Sequence, residues 1–187
     1  MEAFLVSLVT VATGEIGDRT QLLSLVLAAY YRKPWPILAG ILIATLANHS
    51  AAGLIGLWFG YLLTPQVLAL TVGVGLFAMA LWTLKADKLD QETLASRRGA
   101  FLATLCAFFI AEIGDKTQIA TVALSAGYRD LTAVVAGSTV GMLAANLPVV
   151  FCGHAFAARL PMKAIRLGAA ALFLVTGVVF IMRATLH

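Results

Sequence analysis

An all-α membrane protein, with six transmembrane helices built as two inverted-topology three-helix repeats, is the fold class this sequence predicts. Three observations carry the expectation. Of the 187 residues, 61% are hydrophobic and only 12% are charged, against about 25% charged in an ordinary soluble domain. The charges are clumped, and between the clumps lie six apolar runs, each near the roughly 20 residues a helix needs to cross the hydrocarbon core. The chain also repeats itself at an offset of 97 residues.

The first run, Ala3 to Tyr31, is interrupted by Gly14, Glu15, Gly17, Asp18 and Arg19, and it stops at Arg32, Lys33 and Pro34. The second extends from Trp35 to about Leu63. Thr64, Pro65 and Gln66 then make a tight turn, because proline ends a helix and pre-sets a turn. The third covers Val67 to Leu84, and Lys85 to Gly99 is the one long polar stretch. The fourth, Ala100 to Ala126, is interrupted by Glu112, Asp115 and Lys116. Arg129 and Asp130 mark a short loop. The fifth reaches from Leu131 to about Ala158, a basic turn follows from Arg159 through Pro161 to Arg166, and the sixth ends near Met182. The expected organisation is a first repeat over 1–84, a cytoplasmic polar linker over 85–99 and a second repeat over 100–187.

The net charge of +4 does not indicate a nucleic-acid partner, because the basic residues sit in short loops rather than on one face. Arg32, Lys33, Lys85, Lys88, Arg97, Arg98, Arg159, Lys163 and Arg166 fall on one side of the expected topology, and Arg129 and Arg183 on the other. The basic side is expected to be cytoplasmic, which puts both termini outside a bacterial inner membrane. Met1 and Glu2 open the chain without a positive n-region, so it does not read as a cleaved signal peptide. Cys106 and Cys152 lie within apolar runs and are expected as small buried side chains, not as a metal pair or disulfide.

The repeat is carried by polar residues that low complexity does not match by chance. Glu15-Ile16-Gly17-Asp18 falls on Glu112-Ile113-Gly114-Asp115, Thr20 and Gln21 on Thr117 and Gln118, and Tyr31-Arg32 on Tyr128-Arg129. Each unit holds three crossings, an odd number, so the second copy is expected upside down. Transporters use such inverted repeats, with the site near the midplane.

Both motifs fall near the middle of their runs, where a charge costs at least ~2.5 kcal/mol. On a continuous helix, Glu and Asp at i and i+3 share one face. Glu15, Asp18, Glu112 and Asp115 give −4, and Arg19 and Lys116 return +2. The remaining −2 matches one divalent cation or two protons. Oxygen donors suit hard ions such as Mg²⁺, Ca²⁺ and Mn²⁺, and soft ligands nearby are few, since Cys106 lies off the Glu112 face. The competing reading is a structural one: i,i+4 ion pairs Glu15–Arg19 and Glu112–Lys116 that glue helices and leave both aspartates over. Gly14, Gly17 and Gly114 either loosen the helix beside the acids or serve close helix packing.

Thr20, Gln21, Thr117 and Gln118 support the acids. Asn48 and Asn146, related at an offset of 98 rather than 97, are either carbonyl donors to a metal or interhelical hydrogen-bonding groups. His49 and His154 have no repeat counterpart. His49 is a candidate proton relay, and His154 an interfacial residue.

A Glu-x-Gly-Asp-(Lys/Arg)-Thr motif, present once in each half of a six-helix chain, resembles the Golgi calcium/manganese–proton antiporter family and its bacterial manganese-exporter branch. The resemblance covers the whole chain. It implies export of Mn²⁺, or Ca²⁺, from the cytosol against entering protons, with Glu15, Asp18, Glu112 and Asp115 as the ion site. No Walker-type phosphate loop is present, and neither a resident cofactor nor an enzymatic nucleophile constellation is expected. The partners are the transported ion, protons and the lipid bilayer, and a homodimer is compatible with the sequence. Rival readings are an exporter of small organic solutes, which would place an apolar or aromatic cavity beside the charges, a divalent-cation channel without proton coupling, and an intramembrane hydrolase.

Overall fold

The computed structural model describes residues 1–84, 99–152 and 162–185. Most of the expected linker, together with His154, Arg159 and Pro161, lies outside the described residues. Among the described residues there are eight helices and no strand: α1 (Glu2–Glu15), α2 (Arg19–Tyr31), α3 (Pro34–Leu62), α4 (Pro65–Thr83), α5 (Ala100–Glu112), α6 (Lys116–Tyr128), α7 (Leu131–Cys152) and α8 (Met162–Thr185). Proline occupies the first turn of both α3 and α4, where its missing N–H costs nothing.

Three of these, α3, α4 and α7, are long and apolar enough to cross a membrane; α5 and the apolar stretch Leu167–Met182 of α8 are shorter. The first and fourth apolar runs are each broken in two. α1 stops at Glu15 and α2 starts at Arg19, and α5 stops at Glu112 and α6 starts at Lys116. A 14-residue helix rises only about 21 Å, short of the roughly 30 Å hydrocarbon core, so neither piece of a broken run spans it alone. Both second pieces end the same way, with Arg32 and Arg129 in the left-handed region at φ 54° and 53°. There the cap N–H bonds to Ala28 O and Ser125 O, respectively.

The most extensive packing is α1 on α7, α4 on α8, and α3 on α5 and α6. The α3–α5 and α1–α7 contacts share a close approach at corresponding residues. A side chain at Gly40 would run into Phe101 O, and one at Gly137 would run into Phe4 O; both members shift by 97. Small residues let backbones approach in this way where lipid removes the hydrophobic drive between helices.

Large apolar side chains such as Leu54, Trp58, Leu70, Leu81, Val175 and Val178 are exposed, while Ser7, Thr10, Thr45, His49 and Asn146 are buried. That inside-out distribution is what an apolar solvent permits. It also corrects the expectation for the cysteines: Cys106 and Cys152 are exposed, because a small apolar side chain has no need to leave a surface that is itself apolar.

Candidate metal centre

The break between α1 and α2 is a type II β-turn. Ile16 sits at φ −64°, ψ 118°, Gly17 follows at φ 80°, and Asp18 N donates to Glu15 O at 3.0 Å. The second motif repeats it, with Ile113 at φ −62°, ψ 118°, Gly114 at φ 73° and Asp115 N to Glu112 O at 3.0 Å. The third position of such a turn requires positive φ, which glycine adopts freely. The glycine of the motif is therefore a turn residue. The expectation that Glu and Asp share one face of a continuous helix is corrected: each Glu ends one helix, and each Asp stands at the N-cap of the next.

The remaining motif residues hold this turn. Gln21 Oε1 accepts from Gly17 N at 2.8 Å, and Gln118 Oε1 accepts from Gly114 N at 2.8 Å. Gln21 also reaches across to α7, donating from Nε2 to Ala145 O at 2.8 Å. Asp115 Oδ2 accepts from Thr117 N and Oγ1 at 3.3 and 3.1 Å, a capping interaction that satisfies orphan donors of the first turn. Thr20 Oγ1 donates to Asp18 Oδ2 at 3.4 Å.

The i,i+4 ion pairs of the structural reading are absent among the described residues, and the charges pair between motifs instead. Arg19 Nη2 lies 3.3 Å from Asp115 Oδ1 and donates to Ala111 O at 2.6 Å. Lys116 Nζ binds Asp18 Oδ1. Each base thus serves the aspartate of the other copy, and the two glutamates stand outside both ion pairs.

Those glutamates differ. Glu112 Oε1 accepts from Thr45 Oγ1 at 2.5 Å, and its Oε2 accepts from Asn48 Nδ2 at 3.1 Å. Glu15 is fully buried, yet neither of its carboxylate oxygens has a hydrogen-bond partner among the described residues. Leaving a charged group so placed costs more than the roughly 1–3 kcal/mol of a neutral orphan. Glu15, Asp18 and Asp115 each offer an oxygen within 4.8 Å of the others, a three-carboxylate cluster of hard donors.

The two asparagines are used differently. Asn48 reaches Glu112, whereas Asn146 Oδ1 accepts from Ser24 Oγ at 2.6 Å and its Nδ2 points at Met142 O and Sδ at 3.0 and 3.3 Å. His49 Nδ1 is 2.9 Å from Ser138 Oγ, and its buried Nε2 has no partner among the described residues. A groove of about 560 Å³ lies between α2 and α7, bounded by residues such as Leu25, Arg32, Val150 and Phe151, and none of the four acids lines it. Sequence reasoning passed over Thr45, although Thr45 lies three residues before Asn48 and so on the same helix face.

The family model described as "Divalent cation/proton antiporter GDT1" matches residues 3–91 and 100–187. A protein of Vibrio cholerae serotype O1 named "Putative manganese exporter" is 51% identical over 175 residues, covering 93% of this chain and 88% of the relative. A GDT1-like protein of Synechocystis sp. is 27% identical over 200 residues, covering 96% of each. No solved structure matches the chain.

Proposed function

Because this chain belongs to the GDT1 family of divalent cation/proton antiporters, an integral membrane family of cation transporters, we propose that it exports Mn²⁺ from the cytosol in exchange for protons. The observation that carries the reading is Glu15, a buried carboxylate without a hydrogen-bond partner among the described residues, within 4.8 Å of Asp18 and Asp115. A divalent cation supplies what that group lacks. In this reading Glu15, Asp18 and Asp115 hold the ion, and Glu112 completes the charge balance. Manganese is favoured over calcium by the name of the Vibrio cholerae relative.

The ion pairs suggest how the site is kept when empty. Lys116 on Asp18 and Arg19 on Asp115 act as internal counter-charges, which an arriving cation displaces. Because the two bases offset two of the four acidic charges, the centre as a whole takes either one divalent ion or two protons. A metal needs ionised carboxylates, so its binding releases protons, and competition for one set of oxygens couples the fluxes. The broken helices support the same reading, since discontinuous helices line midplane sites in transporters and non-helical backbone at that depth is tolerated where it faces protein or a cavity.

The accompanying topology is six crossings in two inverted units over 1–84 and 100–187. Each broken pair counts as one crossing, residues 85–99 are cytoplasmic, and both termini are outside. The test of the site is calorimetric titration of the purified protein with Mn²⁺. Wild type is expected to bind with proton release and Glu15→Gln to lose binding; equal binding by the two proteins would overturn the reading.

A further inference from the structure

The two halves correspond at an offset of 97, and the packing holds that register: Gly40 meets Phe101 as Gly137 meets Phe4. Carried along α3 and α7, the same register pairs Thr45 with Met142 and Asn48 with Ala145. Thr45 and Asn48 are the two residues that cradle Glu112. By this correspondence Glu15, the counterpart of Glu112, has a thioether at the position where its twin has a hydroxyl, and a methyl group where its twin has an amide. Neither replacement carries a donor, in keeping with the absence of partners for both Glu15 oxygens among the described residues. A second observation orients the sulfur. Met142 is fully buried, and its Sδ lies 3.3 Å from Asn146 Nδ2, a residue itself fixed by Ser24 at 2.6 Å. A thioether is a weak acceptor, and one N–H leaves it a further lone pair.

The geometry points to Met142 as a specificity-determining ligand, a soft donor beside the Glu15, Asp18 and Asp115 carboxylates that selects a transition-metal cation over Ca²⁺ and Mg²⁺. This inference rests on the cation site proposed above. Carboxylates alone hold Ca²⁺, Mg²⁺ and Mn²⁺ alike. A sulfur adds a partly covalent bond that a d-electron metal forms and a closed-shell hard cation of the alkaline-earth group does not. The hydroxyl present in the other half would add a hard donor and erase that distinction. Asn146 is then a positioning residue, donating to the sulfur, and not an ion ligand.

The experiment is competitive binding of Mn²⁺, Ca²⁺ and Cd²⁺ to the purified full-length protein, comparing wild type, Met142→Thr, Met142→Leu and Glu15→Gln. Cd²⁺ serves as the soft probe. Met142→Thr, which restores the hydroxyl of the other half, is expected to lower the Mn²⁺/Ca²⁺ affinity ratio about 10-fold or more, on the scale of losing one partner of a metal site. Met142→Leu, which keeps the packing and removes the sulfur, is expected to weaken Cd²⁺ most, Mn²⁺ less and Ca²⁺ little, and it decides the matter if the threonine variant fails to fold. Wild-type ratios in the folded Met142 variants, with binding still lost in Glu15→Gln, would overturn the role of Met142 and leave the site intact. Binding unchanged in Glu15→Gln, or absent from wild type, would overturn the site itself.

Discussion

Arg19 and Asp115 are partners across the two copies of the motif, with Nη2 3.3 Å from Oδ1, and Lys116 with Asp18 is the same contact with the copies exchanged. Each half supplies the counter-charge for the other's aspartate. The pairing ties the two motifs into one charged centre, and its two instances differ in burial: the Arg19 side chain is 37% exposed, the Lys116 side chain 4%.

That difference sets the first prediction. Lys116→Met leaves Asp18 buried without its counter-charge and is expected to cost about 3–5 kcal/mol, read as a large fall in thermal stability of the purified protein. Arg19→Gln acts on the less buried pair and is expected to cost less than Lys116→Met. The double substitution Asp18→Asn with Lys116→Met should recover most of the stability lost by Lys116→Met and none of the transport. Equal losses from Arg19→Gln and Lys116→Met would contradict the assigned burial.

The second concerns the turns. Gly114 has positive φ and open space around its Cα, so Gly114→Ala isolates backbone conformation from crowding. It is expected to destabilise by roughly 1–2 kcal/mol, the cost of a left-handed non-glycine residue, while Gly114→Asn costs less because asparagine tolerates that region. Thermal unfolding of the three proteins should rank Gly, Asn, Ala. Alanine and glycine proteins of equal stability would refute the turn as the reason for the motif glycine.

The sequence made much of this legible and left some of it closed. The doubled motif, the offset of 97 and the long apolar runs were readable because polar identities at fixed spacing and continuous hydropathy are one-dimensional signals. The break at Ile16-Gly17 was half visible: glycine marked weakness, but a helix with a glycine and a type II turn share the same letters. The exchange of partners between Arg19 and Lys116 was not visible, since i,i+4 spacing offered each base a nearer acid and only the fold brings together residues 96 and 98 positions apart. Thr45 and Met142 were hidden for another reason. Aligning Asn48 with Asn146 by residue type required a slip of one, whereas the packing of Gly40 and Gly137 keeps 97, a register that, carried along the helices, sets Asn48 opposite Ala145 in the repeat.

The third prediction follows from the cradle around Glu112. Thr45→Val removes one hydrogen bond to a carboxylate and is expected to weaken Mn²⁺ binding or stability by about 1.5–3 kcal/mol, without abolishing transport. Ala145→Asn gives Glu15 the amide its twin has, and it should weaken Mn²⁺ binding by supplying a competing partner. Titration of each variant checks this; tighter Mn²⁺ binding by Ala145→Asn would show that Glu15 does not serve the ion through its bare oxygens.

The fourth is pH dependence. Metal and protons compete for the same carboxylates, so apparent Mn²⁺ affinity should fall as pH drops and rise as pH increases, with protons released on binding. Glu15→Gln removes one competing group and should flatten whatever dependence survives. Binding measured between about pH 5.5 and 8.5 in buffers of different ionisation enthalpy gives both quantities. A flat profile without proton release would favour a channel.

The fifth is topology. Cys106 and Cys152 are exposed, so their replacement by serine is expected to leave the fold intact and provide a background for labelling. A single cysteine placed within 85–99 should react only from the cytoplasm, and one at the C-terminus only from outside. Reaction of both from the same side would refute the inverted arrangement.

The most direct test of proton-coupled manganese export at the Glu15 cluster is Mn²⁺ flux in proteoliposomes under an imposed pH gradient, with internal pH recorded at the same time. Wild-type protein is expected to accumulate Mn²⁺ in the more acidic lumen against its own gradient, with protons leaving as Mn²⁺ enters, and Glu15→Gln is expected to abolish both fluxes. Mn²⁺ movement that ignores the pH gradient, or that persists in Glu15→Gln, would contradict the account.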